Sequence, residues 1–155
     1  MGQLKYLVIH CTATSEGREV TSDEIRHWHT DPVSAGGRGW KQVGYTDMIH
    51  LDGRLERLVD NNEDENVDPW EMTNGAAGYN GVSRHLVYVG GTASDGTTPK
   101  DTRTPEQLAA LETYVESFHE RFPKVKIVGH NELAAKACPS FDVQVWLKGI
   151  GIKNN

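Results

Sequence analysis

The sequence has few cysteines, no long apolar run and no excess of positive charge. Its 155 residues include only two cysteines, which is too few for a disulfide framework. No segment approaches the roughly 20 apolar residues of a membrane span, and the first residues lack the basic start and apolar core of a secretory signal. The net charge of -6 argues against a general nucleic-acid binder, because such proteins present a basic face to phosphates. We therefore expect neither a membrane nor a nucleic-acid partner.

Strand and helix signals alternate along a chain of one-domain length. Apolar or alternating runs typical of strands fall at 4–10, 45–51, 54–59, 86–89 and 126–128. Asp52-Gly53 separates the second run from the third and is a strong hairpin signal. These patterns predict a single domain over 1–155 of the α/β class, with a central mixed β-sheet and helices packed on its faces.

Helix start signals place three helices between these strands. Thr21 and Glu24 have the spacing of a capping box and begin a helix over 22–29. A second capping signal at Thr104 begins a longer helix, and a last helix is predicted over 142–148. The apolar stripe expected on the long helix consists of Leu108, Leu111, Val115, Phe118 and Phe122.

Three metal-ligating side chains follow or close predicted strands. His10 closes the first strand, His130 follows the last strand, and Cys138 comes shortly after it. Two imidazoles and a thiolate suit zinc, whose catalytic sites keep three protein ligands and one open position. The spacing is not a compact metal signature, so hydrogen-bonded strand-end histidines and a buried thiol are the alternative interpretation. Neighbouring strand residues point to opposite faces, so Cys11 is expected to face away from a metal held by His10.

Several stretches together resemble one known family. They are 9–14, 43–47, 77–80, 89–91 and 128–142, and the most specific is KACPSFD at 136–142. In this order they resemble the zinc-dependent N-acetylmuramoyl-L-alanine amidases of the phage lysozyme type. That group is part of the wider amidase and peptidoglycan-recognition-protein family, and the resemblance covers nearly the whole chain.

The resemblance implies a cofactor, a reaction and roles for individual residues. It implies that His10, His130 and Cys138 bind Zn²⁺, and that Tyr45 and Lys136 assist catalysis. The implied reaction is hydrolysis of the amide between the lactyl group of N-acetylmuramic acid and L-alanine in peptidoglycan. Because no secretory signal is visible, we expect synthesis in the cytoplasm, which fits a phage or prophage lysin that acts on the cell wall when released; we also expect a monomer.

Two other functions remain open at this point. One is a peptidoglycan-binding module without catalysis, and the other is a cytoplasmic amidase that recycles soluble muropeptides. Binding-only members of the resembled family typically lose the cysteine ligand, so the presence of Cys138 with Lys136 favours catalysis. The sequence does not separate intact wall from soluble fragments as the substrate.

Departures from the resembled family leave the substrate contacts least defined. Relatives often carry a histidine just before the Gly-Tyr-Asn stretch, where this chain has alanine, and Arg84-His85 replaces a common Ile-Gly. Arg84 and His85 are hypothesised to contact the glycan or the carboxylates of the stem peptide. The alternative is a strand-edge pair that faces solvent.

Asn80 and Trp70 are the remaining candidates for substrate binding. Asn80 ends a stretch that matches the family, and Trp70 is an aromatic residue that either stacks on a sugar ring or pins a neighbouring loop. That loop, at 60–71, is rich in acidic residues. We expect it to be solvated, because a proline and the absence of the turn glycine disfavour a calcium loop.

Overall fold

Strands and helices alternate as predicted over residues 2–154, the part of the chain that the computed structural model describes. Met1 and Asn155 lie outside the described residues. The strands are β1 (Gly2–Gln3), β2 (Tyr6–Cys11), β3 (Thr14–Ser15), β4 (Asp47–Ile49), β5 (Leu55–Arg57), β6 (Asn66–Val67), β7 (Ser83–Tyr88), β8 (Gly91–Thr92) and β9 (Lys126–Gly129). The α-helices are α1 (Ser22–Thr30), α2 (Pro105–Arg121) and α3 (Val143–Gly149).

Five strands form one mixed sheet in the order β5-β4-β7-β2-β9. Strands β4, β7, β2 and β9 run parallel, and β5 pairs antiparallel with β4 across the predicted hairpin. Gly53 in that turn has a φ of 87°, a conformation that glycine adopts without steric cost. The register places Val8 of β2 opposite His85 of β7 and Val128 of β9.

Helices cover both faces of this sheet, which confirms the predicted fold class. On one face, buried side chains of α2 and α3 such as Phe118 and Leu147 pack against Leu7 and Ile9 of β2. On the other face, α1 packs through Ile25 in a smaller apolar cluster. Because strand residues alternate between faces, His10 lies on the α1 side of β2. Among the helices of residues 2–154, none has both the length and the apolar character to span a bilayer.

The long helix follows the predicted stripe except at its first position. Leu111, Val115 and Phe118 are buried, whereas Leu108 is 38% exposed. Its neighbour Gln107 takes the inward position and is fully buried. The Gln107 amide donates to the Val89 carbonyl at 2.9 Å, and its side-chain oxygen accepts from the Thr104 backbone N–H at 2.9 Å. A polar residue thus joins the start of α2 to the segment that follows β7, a role that apolar periodicity does not reveal.

We predict that Gln107→Leu lowers the free energy of unfolding by about 1–3 kcal/mol, because the Val89 carbonyl and the Thr104 N–H lose a buried partner. Urea unfolding followed by circular dichroism measures the change. Glu116→Gln on the exposed side of the same helix is the control and is expected to change stability by less than about 0.5 kcal/mol. A Gln107→Leu protein as stable as the control would contradict this account of the helix start.

Candidate metal centre

The predicted ligands converge at the edge of the sheet where the parallel strands end. His10 is the penultimate residue of β2, and His130 directly follows β9. The carboxyl ends of parallel strands share one edge, and sites of open α/β sheets collect there. The two imidazole rings are 4.7 Å apart between centroids. One nitrogen from each histidine and the sulfur of Cys138 all lie within 4.8 Å of one another.

The loop that carries Cys138 is anchored to the sheet by two hydrogen bonds made just after this cysteine. The Tyr88 hydroxyl donates to the Pro139 carbonyl at 2.6 Å. The Ser140 hydroxyl donates to the Gly91 carbonyl at 2.8 Å. These bonds hold the loop against β7 and the start of β8, so the position of Cys138 is set by the protein itself.

The second cysteine lies beside the first but occupies the core. Cys11 is 4% exposed and packs with Leu7 and Ile9 on the α2 side of β2, the face that strand alternation predicts. Its backbone N–H donates to the sulfur of Cys138 at 3.2 Å. Both cysteines are free thiols. The neighbouring Cys11 thiol and burial raise the pKa of the Cys138 thiol, so binding a metal through this sulfur requires it to release its proton.

The two histidines are held in the form that binds metals. Burial and the neighbouring His85 ring lower the pKa of His10 well below its ordinary value. Burial, and then the Lys136 ammonium, lower the pKa of His130. Both imidazoles are therefore neutral near pH 7 and can offer a lone pair. Two nitrogens and a sulfur form a donor set that suits a borderline-soft divalent metal.

Tyr45 and Lys136 lie at the same cleft as the three ligands. The Tyr45 ring is 5.2 Å from that of His10 between centroids. Burial raises the pKa of the Tyr45 phenol, so it keeps its proton and can donate a hydrogen bond. Lys136 is exposed in the loop before Cys138, and no carboxylate among residues 2–154 lies within ion-pair distance of its ammonium.

The cleft is unusual in its charge. It has a volume of about 650 Å³, and no Asp or Glu is among the described residues that line it, although the chain has 22 of them. Its charged and aromatic lining consists of Trp28, His29, Arg38, Trp40, Tyr45 and Lys136, together with the two histidines predicted as ligands. Because the described lining gives these cations no carboxylate partner, a water-accessible cleft of this kind favours an anionic ligand.

Trp28, Arg38 and Trp40 line the cleft but were not among the site residues expected from the sequence. Gly36 to Gly39 predict only a loose connector, yet this segment is folded back onto α1. The backbone N–H of Arg38 donates to the backbone carbonyl of Trp28 at 3.0 Å. The Arg38 guanidinium lies 5.1 Å from the centroid of the Trp40 ring. The available signal was a tryptophan on each side of a glycine-rich segment that also carries an arginine.

The expected substrate contacts divide between the cleft and its surroundings. Asn80 lines the cleft, and its side-chain oxygen accepts from the Ala76 N–H at 2.8 Å. Trp70 is 54% exposed and borders a shallow depression that shares Trp40 and Asn74 with the cleft. Trp70 therefore lies beside the cleft, with its indole open to solvent.

The structure corrects both interpretations of Arg84 and His85. Both are buried in β7, the middle strand of the sheet, so they are not a solvent-facing edge pair. Arg84 points to the face opposite the cleft and donates to the Asp64 carbonyl at 2.9 Å. His85 is fully buried behind His10 and does not line the cleft. Neither side chain is placed to contact a substrate bound in the cleft.

The acidic loop at 60–71 is less solvated than expected. Glu71 is buried, and its carboxylate accepts from the backbone N–H groups of Asn62 and Asp68 at 2.8 and 3.1 Å. It also lies 3.8 Å from the Arg84 guanidinium. The Glu71 carboxylate therefore holds the backbone of the loop in place and neutralises the buried Arg84.

Comparison with known proteins gives one consistent family. Residues 1–141 match the family described as N-acetylmuramoyl-L-alanine amidase. The endolysin of Enterobacteria phage K11 is 35% identical over 140 residues, which cover 90% of this chain and 83% of that protein. The Ph2119 endolysin from a Thermus scotoductus bacteriophage is similar in structure, with 25% identity, a TM-score of 0.71 and coverage of 99% and 88%. Bumblebee PGRP-SA shares the fold at 18% identity, with a TM-score of 0.71 and coverage of 98% and 84%.

Proposed function

Because the chain belongs to the N-acetylmuramoyl-L-alanine amidase family, we propose that it hydrolyses its substrate with zinc held by His10, His130 and Cys138. The bond cleaved is the amide between the lactyl group of N-acetylmuramic acid and L-alanine in peptidoglycan. The chain is thus an enzyme of cell-wall lysis, as its phage endolysin relatives indicate. The observation that carries the zinc proposal is the convergence of two imidazoles and one sulfur within 4.8 Å at the cleft.

The donor set fits zinc better than a hard cation. Magnesium and calcium prefer carboxylate and carbonyl oxygen, and the described cleft lining has no carboxylate. Zinc bound there would polarise the substrate carbonyl and lower the pKa of a water molecule to about 7. The neutral histidines support this assignment because they need to lose no proton on binding, whereas Cys138 must release one.

Tyr45 and Lys136 are proposed to act on the charge that develops during attack. Hydrolysis of an amide passes through a tetrahedral intermediate whose former carbonyl oxygen is negative. Tyr45 has a phenol that stays protonated, so it donates a hydrogen bond toward this oxygen. The Lys136 ammonium, without an acidic partner in the described chain, adds a positive charge on the loop beside Cys138.

Substrate binding is proposed to depend on the acid-free lining of the cleft. Stem peptides carry carboxylates, and Arg38 offers a guanidinium that can bind one of them bidentately. Trp40, against which Arg38 lies, presents an apolar ring for a sugar face. In a protein of net charge -6, these local groups rather than overall attraction supply affinity for an anionic wall.

The relatives also favour one cellular context. Two endolysins of phages, from K11 and from Ph2119, align with most of this chain. We propose that the protein acts on intact wall after release during phage or prophage lysis. The presence of Cys138 and Lys136 favours this catalytic function over a module that only binds peptidoglycan.

The reaction is tested by its products and its need for metal. Purified protein incubated with intact sacculi, and separately with soluble muropeptides, is expected to release stem peptides that begin with a free L-alanine amine. Mass spectrometry identifies the products. A chelator is expected to abolish release and added zinc to restore it. No release from either substrate with zinc present would refute the proposed activity, and release only from muropeptides would refute the assignment to intact wall.

The ligand assignment is tested by the two cysteines. We predict that Cys138→Ser loses stoichiometric zinc and at least about 100-fold in activity, because the soft ligand is removed. Cys11→Ser is the matched control and is expected to retain zinc, since its side chain packs in the core. Zinc content is measured by atomic emission after dialysis. Zinc lost from the Cys11 variant and kept by the Cys138 variant would reverse the assignment.

The proposed role of Tyr45 is tested by removing one hydroxyl. Tyr45→Phe is expected to keep zinc and lower kcat by about 100-fold, the usual effect of losing one donor to a developing oxyanion. Tyr6→Phe, at the start of β2 and away from the ligands, is the control. Steady-state rates on soluble muropeptide give kcat and KM separately. A change in KM alone would assign Tyr45 to substrate binding instead.

A further inference from the structure

A chain of hydrogen bonds runs behind the proposed ligand His10. The Nε2 atom of His10 lies 2.8 Å from Nδ1 of His85. The Nε2 atom of His85 lies 3.2 Å from the side-chain oxygen of Asn80. The rings of His10 and His85 are 4.9 Å apart between centroids, and His85 is fully buried. The chain of bonds thus links a cleft residue, through the middle strand, to the back of a proposed metal ligand.

A backbone group fixes the direction of this chain. The Ala76 N–H can only donate, and it donates to the Asn80 side-chain oxygen at 2.8 Å. That oxygen is therefore the acceptor for His85, whose Nε2 must carry a proton. A neutral imidazole holds one proton, so Nδ1 of His85 is an acceptor and Nε2 of His10 must donate to it.

The consequence for His10 is a single tautomer. With the proton of His10 held on Nε2, its lone pair is on Nδ1, and Nδ1 is the atom that lies 3.7 Å from the Cys138 sulfur. The nitrogen that faces the Cys138 sulfur is thus the one left free to bind a cation. A histidine ligand whose outer N–H is bonded in this way is also held in one ring orientation.

The surrounding backbone is built around the His85 ring. A Cβ atom on Gly75 would lie 2.5 Å from Nδ1 of His85 and 2.6 Å from the Gly44 carbonyl oxygen. Glycine at position 75 therefore lets the loop close over this ring. The loop separates His85 from the cleft, which explains why a residue so near His10 cannot reach the substrate.

We propose that His85, with Asn80 as its acceptor, is a positioning residue that fixes the metal-binding tautomer of His10. The proposal rests on the zinc site described above. His85 then positions His10 and does not make the substrate contact that the sequence had suggested. Asn80 accepts a hydrogen bond from His85, and this bond takes the place of the substrate contact expected for Asn80.

The tautomer is tested in the metal-free protein, independently of catalysis. Long-range ¹H–¹⁵N NMR of imidazole rings is expected to show His10 protonated on Nε2 in the wild type. His85→Leu removes the acceptor and is expected to give a mixture of the two tautomers. His85→Asn places an oxygen near the position of Nδ1 and is expected to restore the wild-type pattern. A single Nε2-protonated tautomer in His85→Leu would overturn the proposal.

Zinc affinity provides the second readout. Competition with a chromogenic chelator is expected to show affinity about 10–100-fold weaker in His85→Leu, and nearly unchanged in His85→Asn. His50→Leu is the matched control, because His50 is also buried but bonds Glu19 and Glu56 away from the cleft. Equal zinc affinity in wild type and His85→Leu, or an equal loss in His50→Leu, would overturn the proposal.

Two further comparisons distinguish a folding defect, or a wrong metal assignment, from a failure of the proposed role of His85. If His85→Leu does not fold, as judged by circular dichroism, Asn80→Ala and Asn80→Asp replace it. Zinc affinity that is weaker in Asn80→Ala but not in Asn80→Asp supports the proposal. Equal zinc affinity in the two variants overturns it. A wild type that binds no zinc while its His10 tautomer is fixed would refute the zinc site and leave the hydrogen-bond chain standing.

Discussion

The parallel pairing of β2 with β7 on one side and β9 on the other is the constraint on which the site depends. It brings His10 and His130 to the same edge of the sheet and places His85 on the strand between β2 and β4. No contact within a single loop would join these residues, which are far apart in the chain. The geometry of the proposed ligands is therefore a property of strand register, and a shift by one residue would turn His10 toward the opposite core.

Local signals predicted much of this arrangement, and long-range packing decided the rest. The capping residues at Thr21 and Thr104 and the hairpin at Gly53 act within a few residues of themselves, so their helices and turn were found. The converging histidines and Cys138 were found because their motif resembles a family. Whether β7 is an edge or a central strand depends on pairing with distant segments. For that reason, the orientations of Arg84 and His85 could not be predicted from the sequence.

Negative and positive charges are separated in the molecule, and the net charge does not show this separation. Acidic residues are concentrated in the surface loop at 60–71, where Glu71 binds backbone N–H groups and faces Arg84. The described cleft lining has none, and it keeps Arg38 and Lys136 as cations. The same net charge of -6 therefore coexists with a local field that attracts carboxylates. Composition alone gives the net charge, but it does not reveal the cationic cleft.

The bonds from Tyr88 to Pro139 and from Ser140 to Gly91 are made by the protein's own groups and hold the loop of Cys138 against the sheet. In a zinc finger, metal binding and folding are one event, and the unliganded chain is disordered. Here the side chains proposed as ligands lose conformational entropy when the sheet and loop assemble. A metal held by these side chains would enter a site already ordered by the fold, so its binding energy would be available for affinity and chemistry rather than for organising the chain.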